Sequence, residues 1–281
     1  MRVAVIGATG VLGRHVVPRL VERGHEVRAL VRTEAKASVL RRLGIDCVLG
    51  DILGRASLDA AVAGCAAALH LATSVPRPGA PRDYAANDRI RREGTAHLIA
   101  ACRAAGVERY VQQSIAHLVA GTGDRLVDET APMSAAGAAS SAADMEAQVR
   151  ASGLRWSILR GGAFYGPLTG RDEEWRGLAR AGKLVLPGDG SGYISLIHEM
   201  DMADAVVLAA ELAPPAALLA IVDDEPVTFR ALYAHIAALE GGPEPRPGGS
   251  EGTGSFRVSN ARARAALGWR PRFRSYRSGF V

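Results

Sequence analysis

The segment Val3-Ala4-Val5-Ile6-Gly7-Ala8-Thr9-Gly10-Val11-Leu12-Gly13 constrains the fold more than any other part of the chain. Val3 to Ile6 has the composition of a buried strand, and Val11 to Arg23 has helical spacing. Glycines at GxxGxxG spacing join the two. Each meets a steric need: Gly7 permits a tight turn, Gly10 lets backbone approach a pyrophosphate, and Gly13 lets the helix pack close to the strand. The first helical turn then offers unpaired N–H groups and a positive dipole end to phosphate. A glycine triplet alone also fits an ordinary βα turn. A strand before it and a helix after it favour a dinucleotide site.

Composition narrows the class. The 281 residues are 48% apolar and 22% charged, which suits a packed core in one large domain or a domain with a smaller lobe. No apolar run reaches the roughly 18 residues that span a bilayer. The start, Arg2-Val3-Ala4-Val5-Ile6, has no signal-peptide pattern, so a cytoplasmic protein without membrane association is expected. Cys47, Cys65 and Cys102 are far apart and form no CxxC or metal-type cluster; small buried thiols and no metal are expected. The formal charge of +5 comes almost entirely from arginines spread along the chain. The C-terminal group from Arg262 to Arg277 is the one concentration, and a solvated surface is expected there rather than nucleic-acid binding.

Strand-like and helical segments alternate through the first two thirds. Strands are predicted at 3–6, 26–31, 46–49, 67–71, 109–113 and 155–160, and helices near 34–43, 56–63, 84–105 and 138–151. Runs apolar on both faces predict a doubly wound parallel sheet. After Gly166-Pro167 glycine and proline break the pattern. Residues 1–165 are read as the nucleotide-binding domain, with strand and helix contributions returning near 193–213. Residues 166–281 are read as a smaller α/β lobe making much of the substrate pocket.

Further motifs follow the glycine loop: Gly50-Asp51-Ile52-Leu53, His70-Leu71-Ala72-Thr73, Leu159 through Pro167, Ile197 through Ala203, and Leu267-Gly268-Trp269-Arg270-Pro271. In number and order they resemble the extended or atypical short-chain dehydrogenase/reductase group, the NAD(P)-dependent epimerase/dehydratase-like proteins, over nearly the whole chain. The resemblance implies a Rossmann-like sheet. It implies that Gly7, Thr9, Gly10, Val11, Leu12 and Gly13 cradle the pyrophosphate. Asp51 accepts from the adenine amino group with Ile52 beside the ring. Leu71, Ala72 and Thr73 line the adenine-ribose and pyrophosphate path, and Gly162, Ala163 and Phe164 run beside the nicotinamide. Many relatives pair the long helices after strands four and five across a dimer axis, so a homodimer is an expectation by analogy.

The end of the second strand bears on cofactor choice. An NAD site usually puts a carboxylate there for the ribose 2′-hydroxyl. This chain has Arg32, whose guanidinium suits a 2′-phosphate. NADP(H) is therefore expected ahead of NAD(H), with neighbouring Glu34 as the opposing sign.

The family's usual catalytic pair is missing. The only lysines are Lys36 and Lys183, and neither has a tyrosine four residues earlier. Aligning the family's Tyr-xxx-Lys-xxx-Glu pattern on Glu146 puts Ala138 and Ala142 at the tyrosine and lysine positions. Ser114 at the end of strand five, Tyr165 after strand six and His117 after strand five remain as proton-handling candidates. Each also has a plainer reading, as a strand-end hydroxyl, a packing phenol and a loop imidazole. His198, Asp144 and Glu146 read as structural, and His70 as core. Arg171, Arg176 and Arg180 are a possible phosphate set, or a solvated helix face.

The leading expectation is an NADP(H)-dependent oxidoreductase acting on a small, partly apolar metabolite with a non-standard proton donor. The alternatives are a redox-neutral isomerase, cyclase or dehydratase on the same scaffold, and a non-catalytic NADP-binding sensor.

Overall fold

A computed structural model describes residues 1–76, 80–119, 121, 123–134, 137–249 and 254–280. The first half runs β1 (Arg2–Ile6), α1 (Val11–Glu22), β2 (Glu26–Val31), α2 (Glu34–Arg41), β3 (Asp46–Leu49), α3 (Arg55–Val62), β4 (Ala67–His70), α4 (Ala85–Arg89), α5 (Thr95–Ala105) and β5 (Arg109–Ile115). Then come α6 (Ser140–Arg150), β6 (Arg155–Gly161), β7 (Ala163–Tyr165), α7 (Arg171–Arg180), β8 (Val185–Pro187), β9 (Tyr193–Ile194), β10 (Leu196–His198) and α8 (Glu199–Leu212). The chain closes with β11 (Ala217–Ile221), β12 (Val227–Thr228), α9 (Phe229–Leu239), β13 (Arg246–Gly249), α10 (Ala261–Leu267) and α11 (Tyr276–Gly279).

Seven strands form one parallel sheet in the order β11-β6-β5-β4-β1-β2-β3. The order of connection, not the strand direction, reverses between β1 and β4, so the loops after these strands open a crevice where doubly wound sheets hold their ligands. Every residue of β4, and all of β1 but Arg2, is buried, as expected for strands covered on both faces. One face is sealed by α1, α8 and α10 through Val16, Leu20, Val206 and Leu267. The other is sealed by α3 and α5 through Leu58, Val62, Leu98 and Cys102. Each such aliphatic side chain contributes about 1.5–3 kcal/mol on burial. A third cluster packs side chains of the C-terminal part of the chain, with Tyr165, Trp175, Leu186, Leu232, Ile236 and Phe280.

Three departures from the expected elements shape the site. The long helix after β4 is interrupted by a π-helical turn, Ile90–Gly94, between α4 and α5. Helix α6 is preceded by a 3₁₀ turn, Gly137–Ala139, while residues 135–136 lie outside the described residues. Within the residues read as a smaller lobe, Ala217–Ile221 instead forms β11, paired with β6 through Leu219 and Leu159 in the main sheet. The tail is tied to α8 by Asp201, whose carboxylate accepts from the N–H groups of Arg272 and Phe273, each at 2.9 Å. Among the described residues no helix is long and apolar enough to cross a membrane.

Candidate active site

The glycine loop is packed too tightly for side chains. Gly7 has φ +99°, and a Cβ there would lie 2.7 Å from the Ala72 nitrogen on the loop after β4. A Cβ on Gly13 would meet Gly7 and Ala8 backbone. Gly10 caps α1 by backbone alone, donating its N–H to the Gly7 carbonyl at 3.0 Å. The N-cap makes no side-chain hydrogen bond to the first turn among the described residues, and Gly10 and Val11 are exposed. This leaves a cradle of outward N–H groups at a helix N-terminus, which fits a pyrophosphate. Thr9 and Ala72 are half-buried and Thr73 is exposed at its rim, while Leu12 and Leu71 turn their side chains into the core.

Arg32 stands exposed at the end of β2, with no ion pair or hydrogen bond from its side chain among the described residues. Glu34 is engaged within its own helix. Its carboxylate accepts from Arg41 and from the Ser38 hydroxyl on the same helix. Asp51 uses Oδ1 to accept the Leu53 N–H at 2.9 Å, which shapes the loop after β3, and Ile52 is buried beside it. At the end of β6, Gly162 approaches the strand-leading loop so closely that a Cβ would sit 2.7 Å from the Ser195 carbonyl. Ala163 and Phe164 follow, both half-buried.

The three proton-handling candidates are not brought together. Ser114 is buried and donates to Glu146 Oε1 at 2.7 Å. The same carboxylate receives Arg160 through Nε at 2.9 Å and Nη2 at 2.7 Å, in a bidentate pair sealed from solvent. Tyr165 is enclosed in the lobe core. It stacks on Phe280 at 5.0 Å, and its hydroxyl reaches the Ser275 carbonyl at 3.5 Å. Burial, with Asp223, Asp201 and Asp172 adding, drives the Tyr165 pKa far above the usual phenol range. His117 keeps an exposed edge above β5, tilted against Phe256 at 5.9 Å. Desolvation in the cleft, then the charges of Arg91 and Arg171, pull its pKa down to about 4.

Other polar groups singled out in the sequence are committed elsewhere. His198 caps α8 by accepting the Met200 N–H at 3.2 Å and stacks on Phe273. Asp144 pairs with Arg92 on the surface. Arg176 and Arg180 both grip Glu240 at 2.6 Å, so these two positions form an ion-pair network. Arg171 does not join them; its guanidinium lies over the Trp175 ring at 5.4 Å.

Sequence reasoning passed over Arg91. Its guanidinium is only 8% exposed and donates to the Ser141 hydroxyl at 3.2 Å, one residue before Ala142 on α6. The π turn aims it inward, and such turns recur at functional sites. The visible signal was only an extra arginine among Arg89, Arg91 and Arg92, which reads as a solvated face.

A family profile described as NAD(P)H-binding matches residues 7–211. Among curated relatives, the 3-diazoavenalumate denitrifying reductase of a Streptomyces species is 37% identical over 305 aligned positions, covering 99% of each chain. The 2-alkyl-3-oxoalkanoate reductase of Stenotrophomonas maltophilia is 32% identical over 261 positions, covering 86% of this chain and 77% of that protein. Among solved structures, the UDP-glucose 4-epimerase of Thermotoga maritima with UDP-glucose superposes with a TM-score of 0.83. It is 21% identical and aligns over 100% of this chain and 96% of its own, a likeness of fold.

Proposed function

The chain belongs to the NAD(P)H-binding short-chain dehydrogenase/reductase family and is an oxidoreductase; from that premise we propose that it is an NADPH-dependent reductase whose substrate needs no proton from a catalytic phenol. The observation that carries this reading is a complete glycine cradle beside a strand-five serine already committed to Glu146. The 2′-phosphate would rest on Arg32, since Glu34 is held by Arg41. The pyrophosphate would rest on the first turn of α1, with Gly7, Thr9, Gly10, Val11, Leu12 and Gly13 supplying backbone. Asp51 and Ile52 would meet the adenine. Leu71, Ala72 and Thr73 would line the ribose path, and Gly162, Ala163 and Phe164 the nicotinamide. Ser114 and Tyr165 act as structural groups in this reading, and His117 faces the substrate as a neutral imidazole.

A ketone reduced by hydride leaves an alkoxide, which normally draws a proton from an activated tyrosine. A diazo group held as its diazonium cation makes no such demand. Held by the glycine loop and by Gly162, Ala163 and Phe164, a reduced nicotinamide would supply hydride chemistry; a hydride added at the ring carbon would release dinitrogen with the C–N electron pair and leave no oxyanion for a side chain to protonate. The relative named for denitrifying reduction of a diazo carboxylate supports this substrate class here. Its full-length likeness also favours this reading over a redox-neutral enzyme or a sensor. Desolvation, with Arg91 and Arg171 adding, keeps His117 a neutral imidazole in the cleft.

The test uses NADPH deuterated at the transferring position with 4-carboxybenzenediazonium, against an enzyme-free control. Enzyme-dependent deuterium on the ring carbon, with NADPH preferred over NADH, is expected. Deuterium delivered instead only to a 3-oxo acid would overturn the diazo reading and leave the reductase.

A further inference from the structure

Polar side chains join α1 and its C-cap to α8: Arg23 pairs with Glu211, Arg19 with Asp204, and His15 Nε2 meets Glu199 Oε1 at 3.1 Å. The α1 partners are four residues apart, so they share one helix face. The pairs differ in setting. Arg23 and Asp204 are open to solvent, whereas Glu199 is 1% exposed. A solvated pair contributes little, while a carboxylate taken out of water must be answered by hydrogen bonds.

Glu199 finds those hydrogen bonds in two separate parts of the fold. Its Oε1 accepts the Leu168 N–H at 3.1 Å in addition to the His15 contact. A carboxylate only accepts, so the imidazole Nε2 is the donor. Oε2 is buried with no hydrogen-bond partner among the described residues. As the first residue of α8, Glu199 sits at the helix end that favours negative charge. Strands β7 and β10 run parallel with Tyr165 opposite His198, so the next step of each brings Gly166 to Glu199. Gly166 has φ +123°, and a Cβ on it would lie 2.7 Å from Glu199 Cγ. The turn therefore rests directly on the glutamate stem. One buried carboxylate joins the helix that starts at the glycine cradle to the turn 166–168, which ends the segment 162–165.

We propose that Glu199, bridged to His15, is a positioning residue that sets the nicotinamide end of the cofactor site against its pyrophosphate end. This rests on the reading that puts the pyrophosphate on the first turn of α1 and the nicotinamide along Gly162, Ala163 and Phe164. Glu199 acts through its neighbours: His15 holds it to α1, and Leu168 and Gly166 carry its position to the end of β7. Arg19 and Asp204 join the same two helices without a printed bond to that turn, so they supply the control.

The experiment is calorimetric titration of the full-length protein with NADPH and, separately, with 2′-phospho-ADP-ribose, the same nucleotide without its nicotinamide. Glu199→Ala is expected to weaken NADPH binding about ten-fold, as for loss of a hydrogen bond to a charged group, and to leave the fragment within about two-fold of wild type. Glu199→Gln keeps an oxygen acceptor for Leu168 and His15 and should recover most of that loss. His15→Ala removes one partner of the carboxylate and should weaken NADPH about three-fold, again sparing the fragment. Arg19→Ala should leave the ratio of the two affinities unchanged. Should Glu199→Ala fail to fold by circular dichroism, His15→Ala decides the matter. Unchanged NADPH affinity in the deciding variant, an equal loss for both nucleotides, or a glutamine variant as weak as the alanine one would overturn the positioning role and leave the reductase reading. Wild-type protein that binds no NADPH would remove the reductase reading and the positioning role with it.

Discussion

Ser114 on β5 and Glu146 on α6 are 32 residues apart in sequence and joined by a 2.7 Å hydrogen bond, inside a pocket that Arg160 closes. The carboxylate is wholly buried, and its charge is balanced by a guanidinium that is itself 1% exposed. Removing one member of such a pair leaves an unanswered buried charge, which costs about 3–5 kcal/mol. Glu146→Ala should therefore lower stability by about that much in urea unfolding with an unchanged m-value. Ser114→Ala should cost only about 1.5–3 kcal/mol, the range for a hydrogen bond to a charged group, and should retain reductase turnover. Loss of turnover in folded Ser114→Ala would return the serine to the chemistry.

Arg32→Ala should weaken NADPH binding by about ten- to a hundred-fold, as expected for losing charge-assisted hydrogen bonds of about 1.5–3 kcal/mol. NADH affinity should hardly change. Glu34→Ala should leave the NADPH preference in place, because its carboxylate is engaged by Arg41 and Ser38. Fluorescence titration of both nucleotides against both variants checks this.

Tyr165→Phe removes one long hydrogen bond, 3.5 Å to Ser275, and keeps the stack on Phe280. It should cost under about 1 kcal/mol and leave kcat near wild type. Tyr165→Ala opens a cavity in the lobe core and should cost about 3–5 kcal/mol. A large kcat loss in the phenylalanine variant would mean the phenol takes part in the reaction.

Asp223 should make the protein less stable as pH rises. It is 1% exposed, its Oδ2 lacks a hydrogen-bond partner among the described residues, and burial pushes its pKa up to about 9. The unfolded chain releases this proton near pH 3.8, so the stabilisation present below that pH is lost progressively as pH climbs to about 9. At pH 7 the loss amounts to about 4 kcal/mol. Asp223→Asn should raise the melting temperature at pH 8 and not at pH 4. An equal effect at both values would mean the carboxyl is ionised in the fold.

His70 acts with the opposite sign. Neither ring nitrogen has a partner among the described residues, and burial lowers its pKa from 6.5 to about 4. Its contribution is present above the unfolded value and lost as pH falls from 6.5 towards 4, a difference worth about 3 kcal/mol. His70→Leu should flatten that acid limb in thermal melts recorded between pH 4 and 7, with little change at pH 7.5.

The sequence by itself determined the strand–glycine–helix opening, the alternation that yields a parallel sheet, and the enzyme family. These are local matters: a turn at φ +99° with no room for Cβ at Gly7, and apolar runs that must be covered on both faces, leave their marks on neighbouring residues. The absence of a Tyr-xxx-Lys pair was equally legible, because it is a statement about spacing. Only the tertiary structure decided which polar groups face the cleft. Ser114 and Tyr165 both looked available in sequence, yet one is held by Glu146 and the other lies in the lobe core. Arg91 carried no signal of its own in the sequence, and a π turn brings it to Ser141, 50 positions away. Side-chain partnership across such distances depends on how helices and lobes pack, and no local pattern encodes it.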